Sequence, residues 1–325
     1  MSHAIDHAIE TEAPTTPPAR RSAPHADPRA RLANAALAGT GTLARGVSQL
    51  VRATPVPLRY APADAVTALL GQAWPGRRQL ARNYAALTGL PPDHPVVWAL
   101  ARRSLRNFGR MAMDFLAARA MRPDELLRWV TPVGESHLAE TGAAERGVIF
   151  AMPHLGSWDV AGAYAAAYGF PVTVVVENDL TARLVAGARA YQGVTIIARD
   201  RSLRALFTAL AHNEGVVLIS DIAHGDTPTT RVPFFGRPAA FPTGPAQLAL
   251  RTGAPIIVLG CVRLDDGTYR IEGEPPLWPD AASSRSPDDA AVQALMERIV
   301  AGYARLVARY PDHWYPFHQV WDDVC

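Results

Sequence analysis

The stretch Val148-Ile149-Phe150-Ala151-Met152-Pro153-His154-Leu155-Gly156-Ser157-Trp158-Asp159 decides the fold of this chain. Five apolar residues in a row read as a β-strand. Pro153 and Gly156 interrupt the chain after it. Ser157 is a good N-cap for a helix that starts at Trp158, and Gly169 ends that helix. A strand that hands over to a helix in this way places His154 in the turn and Asp159 in the first helical turn.

The same texture recurs downstream. Candidate strands fall at residues 172–177, 194–198, 216–221, 255–264 and 269–274, with helices near 158–168, 180–191, 202–212, 243–252 and 287–310. That alternation predicts an α/β fold with a central, largely parallel sheet flanked by helices. Catalytic groups in such sheets sit beyond the carboxyl ends of the strands. His154 falls there, and so does Asp221, which ends Val216-Val217-Leu218-Ile219-Ser220.

Three regions follow from composition. Residues 1–28 combine Pro, Ser, Thr, His and charges with hardly any large apolar residue, and read as a disordered tail. Residues 29–125 read as a basic helical region, and residues 126–325 as the α/β core. Within the helical region Leu32, Ala36, Leu37, Leu43, Val47 and Leu50 recur at helical spacing with Arg31, Arg45 and Arg52 between them. This pattern suits an interfacial amphipathic helix and a helix packed on its own domain equally. Pro55 and Pro57 break it, and further helices are expected near 62–72, 75–88 and 95–118.

All 32 basic residues are arginine, which excludes Schiff-base chemistry and a P-loop lysine. Residues 29–122 hold 14 arginines against Asp64, Asp93 and Asp114, whereas residues 123–325 are net acidic. The basic region fits an anionic surface such as phospholipid headgroups before it fits nucleic acid. No apolar run reaches the roughly 18 residues of a membrane span, and the polar N-terminus does not read as a signal peptide. Cys261 and Cys325 form neither a CxxC motif nor a disulfide framework.

His154 and Asp159 would lie roughly 140° apart on one continuous helix and could not pair. In a turn followed by a helix, the carboxylate can reach back to an imidazole nitrogen, fix its tautomer and stabilise the imidazolium. Read alone, the pattern fits a general base, a metal ligand or a cap. The helix start at Ser157 and Trp158 offers backbone amides to an oxyanion. In Arg231-Val232-Pro233-Phe234-Phe235-Gly236, two aromatics and a glycine suit a loop against an apolar chain, or a core pair. Arg231 and Arg237 bracket that block and can hold phosphates. His224 and Asp226 follow Asp221, but without further clustered His or Cys no metal site is expected. His313 and His318, among Trp314, Tyr315, Phe317 and Trp321, read as an edge strand packed on the core.

GVIFAMPHLGSWD (147–159) and RVPFFGRPAAFPTGPAQLALRTGAPIIV (231–258) resemble the lipid A lauroyl/myristoyl acyltransferase family, which includes actinobacterial phosphatidylinositol mannoside acyltransferases. RRQLARNYAALTGLPPDHP (77–95), SLRNFGRMAMDFL (104–116) and PDHWYPFHQVW (311–321) resemble segments of the same enzymes. The mannoside enzymes carry a glutamate close to FFG, where this chain has Arg231-Val232-Pro233, closer to the lipid A branch. The resemblance implies a peripheral enzyme on the cytoplasmic face of the cell membrane, with no cofactor. It would move a fatty acyl group from acyl-CoA or acyl-carrier protein to a hydroxyl of a glycolipid or lysophospholipid. It also implies His154 as general base with Asp159, Asp221 as a further polar site residue, and Arg189 on the acceptor headgroup. The absence of a GxSxG elbow is consistent with direct transfer. A thioesterase using the same pair and a non-catalytic lipid-binding protein are the competing readings.

Overall fold

The computed structural model describes residues 41–142, 144–176, 194–198, 202–223, 225–279 and 287–321. Among the described residues four helices come first: α1 (Gly41–Ala53), α2 (Val56–Ala73), α3 (Arg77–Thr88) and α4 (Pro95–Ala118). The break between α1 and α2 falls at Thr54 and Pro55, as the prolines predict. Pro57 nevertheless sits in the first turn of α2, where its missing N–H is no loss, so the helix begins six residues earlier than expected. A short helix α5 (Pro123–Trp129) then leads into the sheet.

Among the described residues the sheet has seven strands in the order β1-β9-β8-β2-β5-β3-β4. Its parallel part comprises β2 (Val148–Met152), β3 (Val172–Val176), β4 (Thr195–Ala198), β5 (Gly215–Ile219) and β8 (Ile256–Arg263). β9 (Tyr269–Gly273) runs antiparallel to β8, and β1 (Val130–Val133) runs parallel to β9. All five residues of β2 are buried. Ile149 and Ala151 join the core on one face, while Val148, Phe150 and Met152 join that on the other. An unbroken apolar run is what a strand covered on both faces requires.

Helices α6 (Glu135–Gly142) and α7 (Trp158–Tyr168) cover the Phe150 face. The opposite face packs against α8 (Ser202–Ala211), α9 (Gly244–Thr252) and α10 (Asp289–Arg309). β2 and β5 are neighbours, yet the chain leaves β2 toward β3 and leaves β5 toward β8 on the other side. Two adjacent strands with connections departing in opposite senses open a crevice at their carboxyl ends.

Three parts of the chain differ from the sequence expectation. β1 is short, carries Pro132 and lies at the sheet margin, where a missing N–H is tolerated. The Arg231 block is a separate antiparallel hairpin, β6 (Thr229–Phe234) and β7 (Arg237–Pro242). Its turn is Phe235-Gly236, with φ of 51° and 76°, so a phenylalanine adopts the left-handed conformation there. The terminal segment is not an edge strand either. After a 3-10 turn at Pro311–His313 it runs as an irregular strap, which makes the β-bridges Leu155–Trp314 and Ala239–Trp321 and buries Trp314 and Trp321 in the core.

Candidate active site

The loop after β2 is built from the backbone outward. Ser157 is the N-cap of α7, its Oγ accepting from Val160 N at 3.2 Å, and Gly169 ends the helix at φ 85°. Both ends are where the sequence puts them. Gly156, at φ 69°, reverses the chain so that its N–H donates to the His313 carbonyl at 2.8 Å. Ser157 N donates to the Cys261 carbonyl at 2.6 Å.

His154 therefore faces the end of β5. Its backbone N–H donates to Asp221 Oδ2 at 2.9 Å, and its Nδ1 lies 2.5 Å from Asp221 Oδ1. The ring's partner is thus Asp221, 67 residues away, and not Asp159, because β5 is the strand next to β2 in the sheet. Trp314 Nε1 also donates to Asp221 Oδ2, at 3.2 Å. Burial pushes the Asp221 carboxyl up, but the charge and two hydrogen bonds of His154 outweigh it and hold Asp221 below the ordinary carboxylate range. An ionised Asp221 places the imidazole proton on Nδ1 and leaves the Nε2 lone pair as the basic position. The His154 side chain is 25% exposed, so that nitrogen is reachable.

Beside the imidazole stands the Trp158 ring, edge-on at 5.2 Å between centroids, and Trp158 also walls a cavity of about 430 Å³. The cavity lies between the sheet and helices α6 and α7, within the Phe150 layer of the core. Met152, Ile219, Trp158 and Asp159 form its margin at the carboxyl ends of the strands, while Phe170, Val172 and Tyr168 line the other end. Its walls are almost wholly hydrocarbon. Asp159, 9% exposed, is one of the few carboxylates on them.

The other expected site residues disperse. Phe234 is core: it stacks on Trp321 at 5.6 Å and meets Trp314 and Phe241 edge-on. Phe235 and Gly236 make the hairpin turn, and Arg231 is exposed on β6. None of these four lines the cavity. The Ser157 amide is committed to the Cys261 carbonyl, which removes that N–H as an oxyanion donor. The Trp158 amide, first in α7, makes no hydrogen bond among the described residues. Arg189 and His224 lie outside the described residues. Among the described residues no three His, Cys, Asp or Glu side chains come together as a metal would need.

Trp314 is the residue sequence reasoning missed. Its signal was a tryptophan two residues before a proline in an otherwise aromatic terminus, which reads equally well as packing.

Residues 30–323 match the family of bacterial lipid A biosynthesis acyltransferases. The chain belongs to that family. The acyltransferase is 29% identical over 256 residues to the phosphatidylinositol mannoside acyltransferase of Mycolicibacterium smegmatis, covering 76% of this chain and 80% of that protein. To the protein of the same name from Mycobacterium tuberculosis H37Rv it is 31% identical over 258 residues, covering 76% and 77%.

Proposed function

We propose that this acyltransferase moves a fatty acyl group from a thioester, acyl-CoA or acyl-carrier protein, to a hydroxyl of a mannosylated phosphatidylinositol glycolipid, with His154 as general base. The carrying observation is the His154–Asp221 pair set one aromatic ring away from a hydrocarbon-walled cavity. A chain lying in that cavity gains about 0.8 kcal/mol per buried methylene, which holds the thioester carbonyl beside the base. The names of the mycobacterial relatives support the acceptor class, although Arg231-Val232-Pro233 departs from the mannoside pattern near FFG.

His154 Nε2 takes the proton of the acceptor hydroxyl as its oxygen attacks the thioester carbon. The tetrahedral oxyanion meets the Trp158 amide and the positive end of the α7 dipole. Collapse breaks the C–S bond, and the leaving thiolate recovers the proton from the imidazolium. Asp221 holds the Nδ1 proton throughout and stabilises the imidazolium. Asp159, at the cavity margin, is placed to accept from the acceptor's hydroxyls.

The helical region supplies the dock. On α2 the positions Leu58, Ala61, Pro62, Ala65, Val66 and Leu69 recur at helical spacing and are all exposed. Arg102 lies alongside this helix, its Cγ 3.6 Å from where a Cβ on Gly71 would stand. An outward apolar stripe rimmed by arginine suits the peripheral surface of an anionic membrane.

The test is His154→Ala, assayed for acylated glycolipid and for free fatty acid with and without acceptor. Acyl transfer should fall on the order of 10²-fold or more while the melting temperature holds. Unchanged transfer in the folded variant overturns the base assignment. Donor hydrolysis that ignores the acceptor, with no acylated lipid, overturns the transferase reaction in favour of a thioesterase.

A further inference from the structure

Asp221 holds the imidazole, but something must hold Asp221. Its Oδ2 receives two donors, the His154 backbone N–H at 2.9 Å and Trp314 Nε1 at 3.2 Å, which leaves Oδ1 for the ring. The indole is among the most deeply buried side chains, 1% exposed. Phe234, Trp321 and Tyr84 surround it with centroids at 5.7, 6.1 and 6.4 Å. Its main chain is equally fixed. The Trp314 carbonyl accepts from Tyr84 Oη on α3 and Ser104 Oγ on α4, both at 2.8 Å. On either side the strap pairs with the catalytic loop, Gly156 N donating to the His313 carbonyl and Tyr315 N to the His154 carbonyl at 2.9 Å.

The geometry points to Trp314 as a positioning residue for acyl transfer, acting through Asp221 Oδ2 to aim Oδ1 at His154 Nδ1. The inference rests on His154 being the base. An indole N–H only donates and does not titrate, so it favours the ionised carboxylate at every working pH. It also withdraws electron density that Asp221 would otherwise offer to the imidazole. The groups facing Asp221 are His154 from the β2 loop, Trp314 and His318 from the strap, and the Tyr303 hydroxyl of α10, which hydrogen-bonds to Ser220. Of these, Trp314 alone joins the carboxylate to both α3 and α4. The strap therefore couples the helical region to the base.

The experiment is a double-mutant cycle of Trp314→Phe and Asp221→Asn in the full chain, read as kcat, KM and the pH profile of kcat. Trp314→Phe should lower kcat about tenfold with KM for both substrates within about twofold. Its acid limb should move to higher pH, because Asp221, short of one donor, holds the imidazolium proton more strongly. On the Asp221→Asn background the same change should cost less than about twofold, since residues acting as one unit are not additive. An unchanged kcat, or an equal loss on both backgrounds with an unmoved acid limb, leaves Trp314 as packing only and overturns the inference. Where Trp314→Phe lowers the melting temperature enough to obscure kinetics, semisynthetic benzothienylalanine at 314 removes the N–H and keeps the shape. His154→Ala in the same assay separates the two ideas. If it remains active, the base assignment fails; if it is inactive and Trp314→Phe is not, only the role of Trp314 fails.

Discussion

At Gly156 a Cβ would stand 1.9 Å from the Cys261 carbonyl oxygen, with the backbone at φ 69°. Neither partner is the end of a flexible side chain, so nothing can rotate away. Left-handed backbone costs an alanine about 1–2 kcal/mol before the clash is counted. Gly156→Ala should lower stability by about 3 kcal/mol or more and reduce kcat over 10²-fold, because the displaced loop carries His154. Thermal denaturation with turnover measurements checks this, and a variant with normal kcat would show that the loop is not the frame of the site. The glycine, the histidine and the aspartate after Ser220 are each readable from sequence. Their pairing is not, because nearness in sequence and the turn before the helix favour Asp159, whereas the order of β2 and β5 is set by contacts 67 residues apart. Asp221 could be placed at a strand end, but only the sheet order makes it a neighbour.

Among the elements, α7 occupies two places: its first residue, Trp158, stands beside the His154 ring, and its inner side roofs the cavity. Gly162 lies one turn beyond Trp158 on that inner side, where a Cβ would meet only Val194 Cγ2 at an ordinary 3.4 Å. Gly162→Leu therefore projects four carbons into the cavity without disturbing backbone. Displacing three or so methylenes of a bound chain, at about 0.8 kcal/mol each, should cut kcat/KM for long-chain donors by 10- to 100-fold. Medium-chain donors should be spared. A series of acyl-CoA lengths decides it, and equal losses at every length would mean that the chain binds elsewhere. Apart from the short, proline-bearing β1, the strands that wall the cavity were legible because their length and their bounding turns favour a strand over a helix. The β6–β7 hairpin was not, since Pro233, Pro238 and Pro242 mask the buried alternation of Val232 with Phe234 and Ala239 with Phe241. The turn also lacks the usual asparagine or aspartate before its glycine.

For the whole molecule, the charge asymmetry of the sequence overstates the basic surface. Asp114 is fully buried, accepting from Tyr60 at 2.6 Å and Tyr269 at 2.9 Å, with Arg59 and Arg263 within 4.0 Å. Arg110 is bonded to Asp64, and Arg52 to Glu125. These arginines fasten the helical region to itself and to the sheet, work that a count of charges cannot distinguish from solvent exposure. What remains outward on α3 and α4 includes Arg78, Arg102 and Arg106, which have no acidic partner among the described residues, beside the apolar stripe of α2. No described helix is long and apolar enough to cross a membrane. Each exposed leucine entering the headgroup boundary contributes about 1.5 kcal/mol or more, and each arginine about 1 kcal/mol at an anionic leaflet. Leu58→Ser with Leu69→Ser should weaken sedimentation with phosphatidylinositol-rich vesicles about 100-fold at any salt concentration. Arg102→Gln with Arg106→Gln should weaken it about 10- to 30-fold at low salt and hardly at all at high salt, where screening has already removed the attraction. Both pairs should depress acylation of a membrane-embedded acceptor and leave acylation of a detergent-dispersed acceptor near its original rate, since neither touches the His154–Asp221 pair. Vesicle binding that survives both changes would place the dock on another face of the molecule.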